Sequence, residues 1–181
     1  MLKKTFFAIL LLFCGITAFA EETLPPPPLK NMDFSEGLKF WSNRAIEDNS
    51  FSVIKENDTN ILQISGGKKE VTQLIQSINI PPDDLLEKRL TLLVTVKPEK
   101  IESGSLHLMF REVNAQRKTI RYRTLKIDKW NKKDWQRVFV SVVVKNPTKY
   151  LQVYIKSNYL APDDKILLKD MTLKISDSKK R

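Results

Sequence analysis

The chain has 181 residues, with 31 Lys and Arg against 21 Asp and Glu for a net charge of +10, one histidine and one cysteine. A lone histidine and a lone cysteine exclude a His/Cys zinc cluster and an internal disulfide, and they leave no basis for a multi-histidine copper or iron site. Five glycines, none with the spacing of a phosphate-cradling loop, give no support to nucleotide chemistry.

Met1-Leu2-Lys3-Lys4 forms a positive start, Thr5 to Thr17 a short apolar stretch, and Ala18-Phe19-Ala20 an A-x-A cleavage site. The apolar stretch is shorter than the ~20 residues that span a bilayer, and no later segment approaches that length. Residues 1–20 are therefore expected to be a signal peptide, and Phe13 is too bulky for Cys14 to sit in a lipobox. Cleavage after Ala20 leaves 161 residues and removes Lys3, Lys4 and the cysteine, so 29 basic side chains face 21 acidic ones, a balance of +8. The expected product is exported, periplasmic or secreted, with no transmembrane segment after cleavage. Without disulfides it depends on its hydrophobic core.

Residues 21–28 end in Pro25-Pro26-Pro27-Pro28, a stiff polyproline II spacer or a short docking peptide. Residues 29–175 follow as the folded domain and 176–181 as a polar, basic tail. Within the domain the dominant period is two. Leu90, Leu92, Val94 and Val96 alternate with more polar neighbours until Pro98, which is expected to stop the strand. Leu106-Leu108-Phe110, Val138-Val140-Val142-Val144 and Leu151-Val153-Ile155 alternate in the same way. Further strands are predicted at Phe51–Lys55, Ile61–Ser65, Val71–Ile80, Thr119–Ile127 and Ile166–Ile175. Asp83–Arg89, after Pro81-Pro82, is the only helical candidate. About nine short strands separated by turns predict an all-β fold, an antiparallel β-sandwich with one face of each sheet inward.

Asn31-Met32-Asp33-Phe34-Ser35-Glu36-Gly37-Leu38 with Trp41 resembles the opening N-G-D-F-x-x-G…W of galactose-binding-like jelly rolls, whose best-known members are carbohydrate-binding modules of glycoside hydrolases. The resemblance continues through Ile61–Ile64, Leu92–Lys97, Asp134-Trp135-Gln136-Arg137-Val138 and Ile166–Leu173, covering nearly the whole domain. It implies a jelly-roll sandwich, a non-catalytic binding role, and Trp41 and Trp135 packed under the sheets. Many relatives hold a structural calcium near the chain ends, which places Asp33 and Asp170 as candidate ligands. Met32, Ser35 and Phe40 depart from the pattern, and Lys169 replaces the first acid of the closing pair, which weakens the calcium set. Otherwise Asp33 and Asp170 satisfy backbone donors.

Two binding candidates emerge. Trp130 lies in the polar turn Lys129-Trp130-Asn131-Lys132-Lys133, where it either stacks on a sugar ring or caps the sandwich edge. If leucines and valines mark the buried face, the opposite faces present His107, Met109, Arg111, Tyr150, Gln152, Tyr154 and Lys156. Flat rings, planar amides and charges suit polyol recognition, provided these strands adjoin one another. Arg117 to Lys126 is the densest basic segment. It reads either as a contact for an anionic polysaccharide or as an edge strand protected by charge. Export makes intracellular nucleic acid an unsuitable partner. Asp83-Asp84 and Asp163-Asp164 follow prolines and look like turn residues, not an acid/base pair, and His107 has no motif-linked nucleophile. The expected function is recognition of carbohydrate, an anionic polysaccharide included, with adhesion to another envelope protein as the alternative.

Overall fold

The computed structural model describes residues 29–43, 50–67, 71–79, 85–130 and 134–178, and among them there is no helix. The strands are β1 (Ser42–Asn43), β2 (Phe51–Glu56), β3 (Thr59–Ser65), β4 (Val71–Asn79), β5 (Lys88–Lys100), β6 (Ser105–Val113), β7 (Thr119–Ile127), β8 (Gln136–Val143), β9 (Tyr150–Asn158) and β10 (Lys165–Asp177). They form two five-stranded antiparallel sheets, ordered β1-β4-β9-β6-β7 and β2-β3-β10-β5-β8. The fold is an all-β antiparallel sandwich.

The alternation fixes which side faces in. Leu90, Leu92, Val94 and Val96 of β5 meet Ile166, Leu168, Met171 and Leu173 of β10 in a core that also holds Leu106, Leu108 and Phe110 of β6 and Leu151, Val153 and Ile155 of β9. The N-terminal motif has a local cause. The Asn31 amide donates to the carbonyls of Gly37 and Lys39 at 2.9 and 3.0 Å and accepts from the Glu36 N–H at 3.0 Å. Gly37, at φ +62°, lets the chain turn back. Phe34 and Trp41 are thereby delivered to the core, ring centroids 6.0 Å apart, with the Trp41 indole N–H donating to the Asn31 carbonyl. Gln76 of β4 ties this segment down by bonding both the N–H and the carbonyl of Lys30.

A buried polar cluster joins the sheets at one end. Glu112 of β6 is 1% exposed. It accepts two hydrogen bonds from the guanidinium of Arg121 on β7 and one from the Thr148 hydroxyl at 3.2 Å. Arg121 also donates to the Val143 carbonyl of β8 at 2.8 Å. Asp164 is likewise buried and structural, accepting from the N–H groups of Glu102, Ser103 and Ala161.

Several expectations need correction. Pro98 does not end β5, which continues to Lys100: β8 pairs only as far as Val96, and β10 changes register beside Ile166, so the missing N–H breaks no regular ladder. Lys88 and Arg89, expected in a helix, begin β5, and Asp83 and Asp84 of that candidate lie outside the described residues. The tail begins later than residue 176, because β10 runs to Asp177, which forms an ion pair with Lys88. Trp135 is not in the core. It lies on the outer face of the second sheet, with the Lys169 and Lys97 ammonium groups 4.4 and 5.8 Å from its ring centre. The run of alternation begins after it, at Gln136, so its face was not set by the pattern. The segments expected to be a signal peptide and a spacer, residues 1–28, lie outside the described residues.

Candidate functional site

The four strands β4, β9, β6 and β7 are consecutive in the first sheet, so their outward side chains form one surface. Registers place them in rows. Gln73, Lys156, His107 and Lys126 lie across one row, Ile75, Tyr154, Met109 and Thr124 across the next, and Ser77, Gln152, Arg111 and Tyr122 across the third. The condition set by the sequence is met: His107, Arg111, Tyr150, Gln152, Tyr154 and Lys156 all occupy this face, on adjoining strands.

Their hydrogen bonds run in a chain across all four strands. Arg111 Nε donates to the Thr119 hydroxyl at 2.8 Å, and its NH1 donates to the Tyr154 hydroxyl at 3.1 Å. Tyr154 donates to Gln152 Oε1 at 3.0 Å, and the Gln152 amide donates to the Ser77 hydroxyl at 3.1 Å. The bond to Tyr154 raises the Arg111 pKa, outweighing the opposing effect of burial, so the guanidinium is a fixed cation. Orientation of Arg111 and Gln152 is set before any ligand arrives, which lowers the ordering cost of binding. Beside this chain lies a groove of about 350 Å³ lined by Ser77, Asn79, Arg111, Val113, Arg117, Tyr150 and Gln152.

The far end of the face is neutral at its centre and basic around it. His107 Nε2 accepts from Asn158 Nδ2 at 3.0 Å and lies 2.9 Å from the Ser105 hydroxyl. Burial foremost, then Lys156 and Lys126, lower its pKa below the ordinary 6.5, with Asp128 opposing. A Ser–His contact alone is not a catalytic pair. Ser105 is buried, Asn158 competes for the same ring nitrogen, and Nδ1 has no carboxylate partner among the described residues.

Three assignments change. Tyr154 is only 5% exposed, so its ring is part of the packing between Ile75, Met109 and their neighbours and is no stacking platform. A central strand position flanked on both sides covers the ring and leaves the hydroxyl to the network. Trp130 is half-buried and packs against the core, with its indole N–H enclosed and lacking a hydrogen-bond partner among the described residues. It caps the sandwich and is not a free sugar-stacking surface, because Ile127 and Trp130 fold inward together at the end of β7. The Arg117–Lys126 segment is an edge strand, as its charge pattern allowed, but Arg121 is spent on Glu112 and Lys126 pairs with Asp128 at 2.7 Å.

Sequence reasoning placed Tyr122 only within the basic segment Arg117–Lys126 and passed over Ser77 and Asn79. Tyr122, 51% exposed and opposite Arg111, is the most accessible ring in these rows. Its alternation on β7 was masked by cations on both faces of that strand. Ser77 and Asn79 belong to β4, whose period-two pattern is blurred by Ile75, an outward residue that is nonetheless covered.

The candidate calcium ligands do not form a fitting donor set. The Asp33 carboxylate already accepts from the Ser35 N–H and hydroxyl at 3.2 and 3.0 Å, which lowers its pKa. Asp170 is exposed at the β10 bulge, at φ +50°. Calcium takes six to eight oxygens, and among the described residues no group of three or more His, Cys, Asp or Glu is gathered that could hold a metal ion.

No family model matches the chain, and no curated protein matches it. Its fold is nevertheless that of known modules. A family 16 carbohydrate-binding module superposes with a TM-score of 0.62 at 12% identity, covering 82% of this chain and 99% of the module. TmCBM61, solved in complex with β-1,4-galactotriose, gives 0.55 at 14% identity over 82% and 98% of the two chains. A Stig cyclase from Fischerella sp. TAU gives 0.61 at 11% identity over 84% and 98%. The chain has the jelly-roll β-sandwich fold shared by carbohydrate-binding modules, a scaffold that also supports a cyclase.

Proposed function

We propose that this protein is an exported, non-catalytic carbohydrate-binding module that holds a glycan on the outer face of the β4-β9-β6-β7 sheet. The observation that carries the proposal is the hydrogen-bonded chain Thr119–Arg111–Tyr154–Gln152–Ser77 beside the groove. It presents a fixed guanidinium and a fixed amide, with Tyr150 and Tyr122 as the adjoining rings. Hydroxyls of a sugar pair with the planar groups, while a ring face lies against tyrosine. Arg117 at the groove, with Lys156 two rows away on the same face, favours an acidic sugar over a neutral one. The likeness of fold to glycan-binding modules supports the reading, and among the described residues no helix is long and apolar enough to cross a membrane.

Protein starting at Glu21 should bind one or more glycans on an array. Arg111→Ala/Gln152→Ala should weaken that binding about tenfold or more, since bonds involving a charged group carry the larger share of polar affinity. Capture of an envelope protein with no glycan bound would favour the adhesion alternative. The domain is further proposed to be independent of calcium: a chelator should leave its melting temperature unchanged. A fall in melting temperature that Asp170→Ala abolishes would reverse this, because a ligand bound only to the native state stabilises it.

A further inference from the structure

The second sheet carries a surface that the glycan reading does not use. Leu90, Leu92, Val94 and Val96 of β5, Val140 and Val142 of β8, and Ile166, Leu168, Met171 and Leu173 of β10 point into the core. The alternate positions of these three adjacent strands therefore face outward. Along the stretch beyond the register shift at Lys165, five cations stand there: Arg89 and Lys97 on β5, Arg137 on β8, and Lys169 and Lys174 on β10.

Register orders them into bands. Lys97 lies opposite Leu167, Thr95 lies between Arg137 and Lys169, Leu93 lies between Phe139 and Thr172, and Thr91 lies between Ser141 and Lys174. Successive bands are two residues apart, about 6.7 Å. Cationic bands thus flank an apolar one centred on Phe139, which is 63% exposed. Trp135 lies under Lys169 and Lys97 and holds both ammonium groups over its ring. None of the five cations has a carboxylate partner among the described residues. The acids nearby are Asp170 at the bulge, Glu99 beyond Lys97, Asp134 before Trp135, and Asp177 at the end of β10, which pairs with Lys88.

We propose that this outer face of the second sheet is a separate docking surface for an acidic polysaccharide. Unpaired cations at regular spacing complement a polymer with an anionic group on successive sugars. The exposed phenylalanine and the interleaved threonine and serine hydroxyls suit the apolar and hydroxylated parts of the same chain. A lipid bilayer is a poorer match, because Phe139 is the only large apolar side chain strongly exposed on these three strands and nothing here forms an apolar face for insertion. Single-stranded nucleic acid is also a poorer match, because successive bases need several accessible rings and Trp135 is covered by its lysines.

The proposal stands independently of the groove on the first sheet, and the test separates the two. Heparin, a sulfated polysaccharide, is titrated at low salt into wild type, into Arg137→Ser/Lys169→Ser/Lys174→Ser, and into Arg111→Ala/Gln152→Ala. Wild type should bind, and binding should fade as salt rises towards about 0.5 M, because exposed charges are screened. The triple variant should bind about tenfold or more weakly with a melting temperature within a few degrees of wild type, since its three side chains face outward, pair with no acid, and give up only the contact of Lys169 with Trp135. Arg111→Ala/Gln152→Ala should retain most of the heparin binding. No heparin binding by wild type, or loss confined to Arg111→Ala/Gln152→Ala, would overturn the proposal. Binding to phosphatidylglycerol vesicles, lost in the triple variant and without heparin binding, would overturn it in favour of a lipid surface.

Discussion

Arg121→Ala should destabilise the domain by about 3–5 kcal/mol, because it strands a buried carboxylate. Glu112 is enclosed between the sheets and takes two of its bonds from the Arg121 guanidinium, leaving Thr148 as its remaining donor. The Val143 carbonyl of the opposite sheet loses its bond in the same substitution. Lysine at 121 should recover only part of the loss, since an ammonium group cannot reproduce the paired geometry of a guanidinium fork. Replacing both charges, Glu112→Leu/Arg121→Leu, should cost less than Arg121→Ala alone, because no unpaired charge is then buried. Chemical denaturation of the three variants checks the order. Wild-type stability in Arg121→Ala would show that the pair bears no part of the fold.

Tyr154 gives the second large effect, and it separates packing from binding. Tyr154→Ala removes a ring that is nearly fully covered and should cost about 3–5 kcal/mol. Tyr154→Phe keeps the ring and should cost about 1 kcal/mol, the usual net worth of a hydrogen-bonding hydroxyl. It nevertheless leaves Arg111 NH1 and Gln152 Oε1 without the group that joins them. Glycan affinity should therefore fall in Tyr154→Phe although the fold is kept. Thermal melts give the first comparison and a binding titration the second. Equal stability of the alanine variant and wild type would mean that the ring is exposed after all.

Strand positions and the inward faces were legible in the sequence because burial imposes a period of two, as in Leu90–Val96 and Leu151–Ile155. Pairing was not. That β6 and β9 lie side by side depends on contacts between residues about forty to fifty positions apart, which local patterning does not encode. The same limit explains the tryptophans. Whether Trp130 turns inward and Trp135 outward is decided where strands begin and end, and periodicity has no hold there. Tyr154 was assigned correctly to the outward face yet misjudged as accessible, because an outward position in the middle of a sheet is covered by flanking side chains. Arg121 shows the reverse case. In a run of cations, nothing local marks the one that reaches a buried Glu112.

The central claim is that the outer face of the β4-β9-β6-β7 sheet holds a glycan. Amide shifts in a two-dimensional NMR spectrum, followed while a glycan selected from the array is added, test it most directly. The changes should be largest at Ser77, Asn79, Arg111, Tyr150 and Gln152, the strands that line the groove. Changes confined to the opposite sheet, or none with any glycan tried, would contradict it.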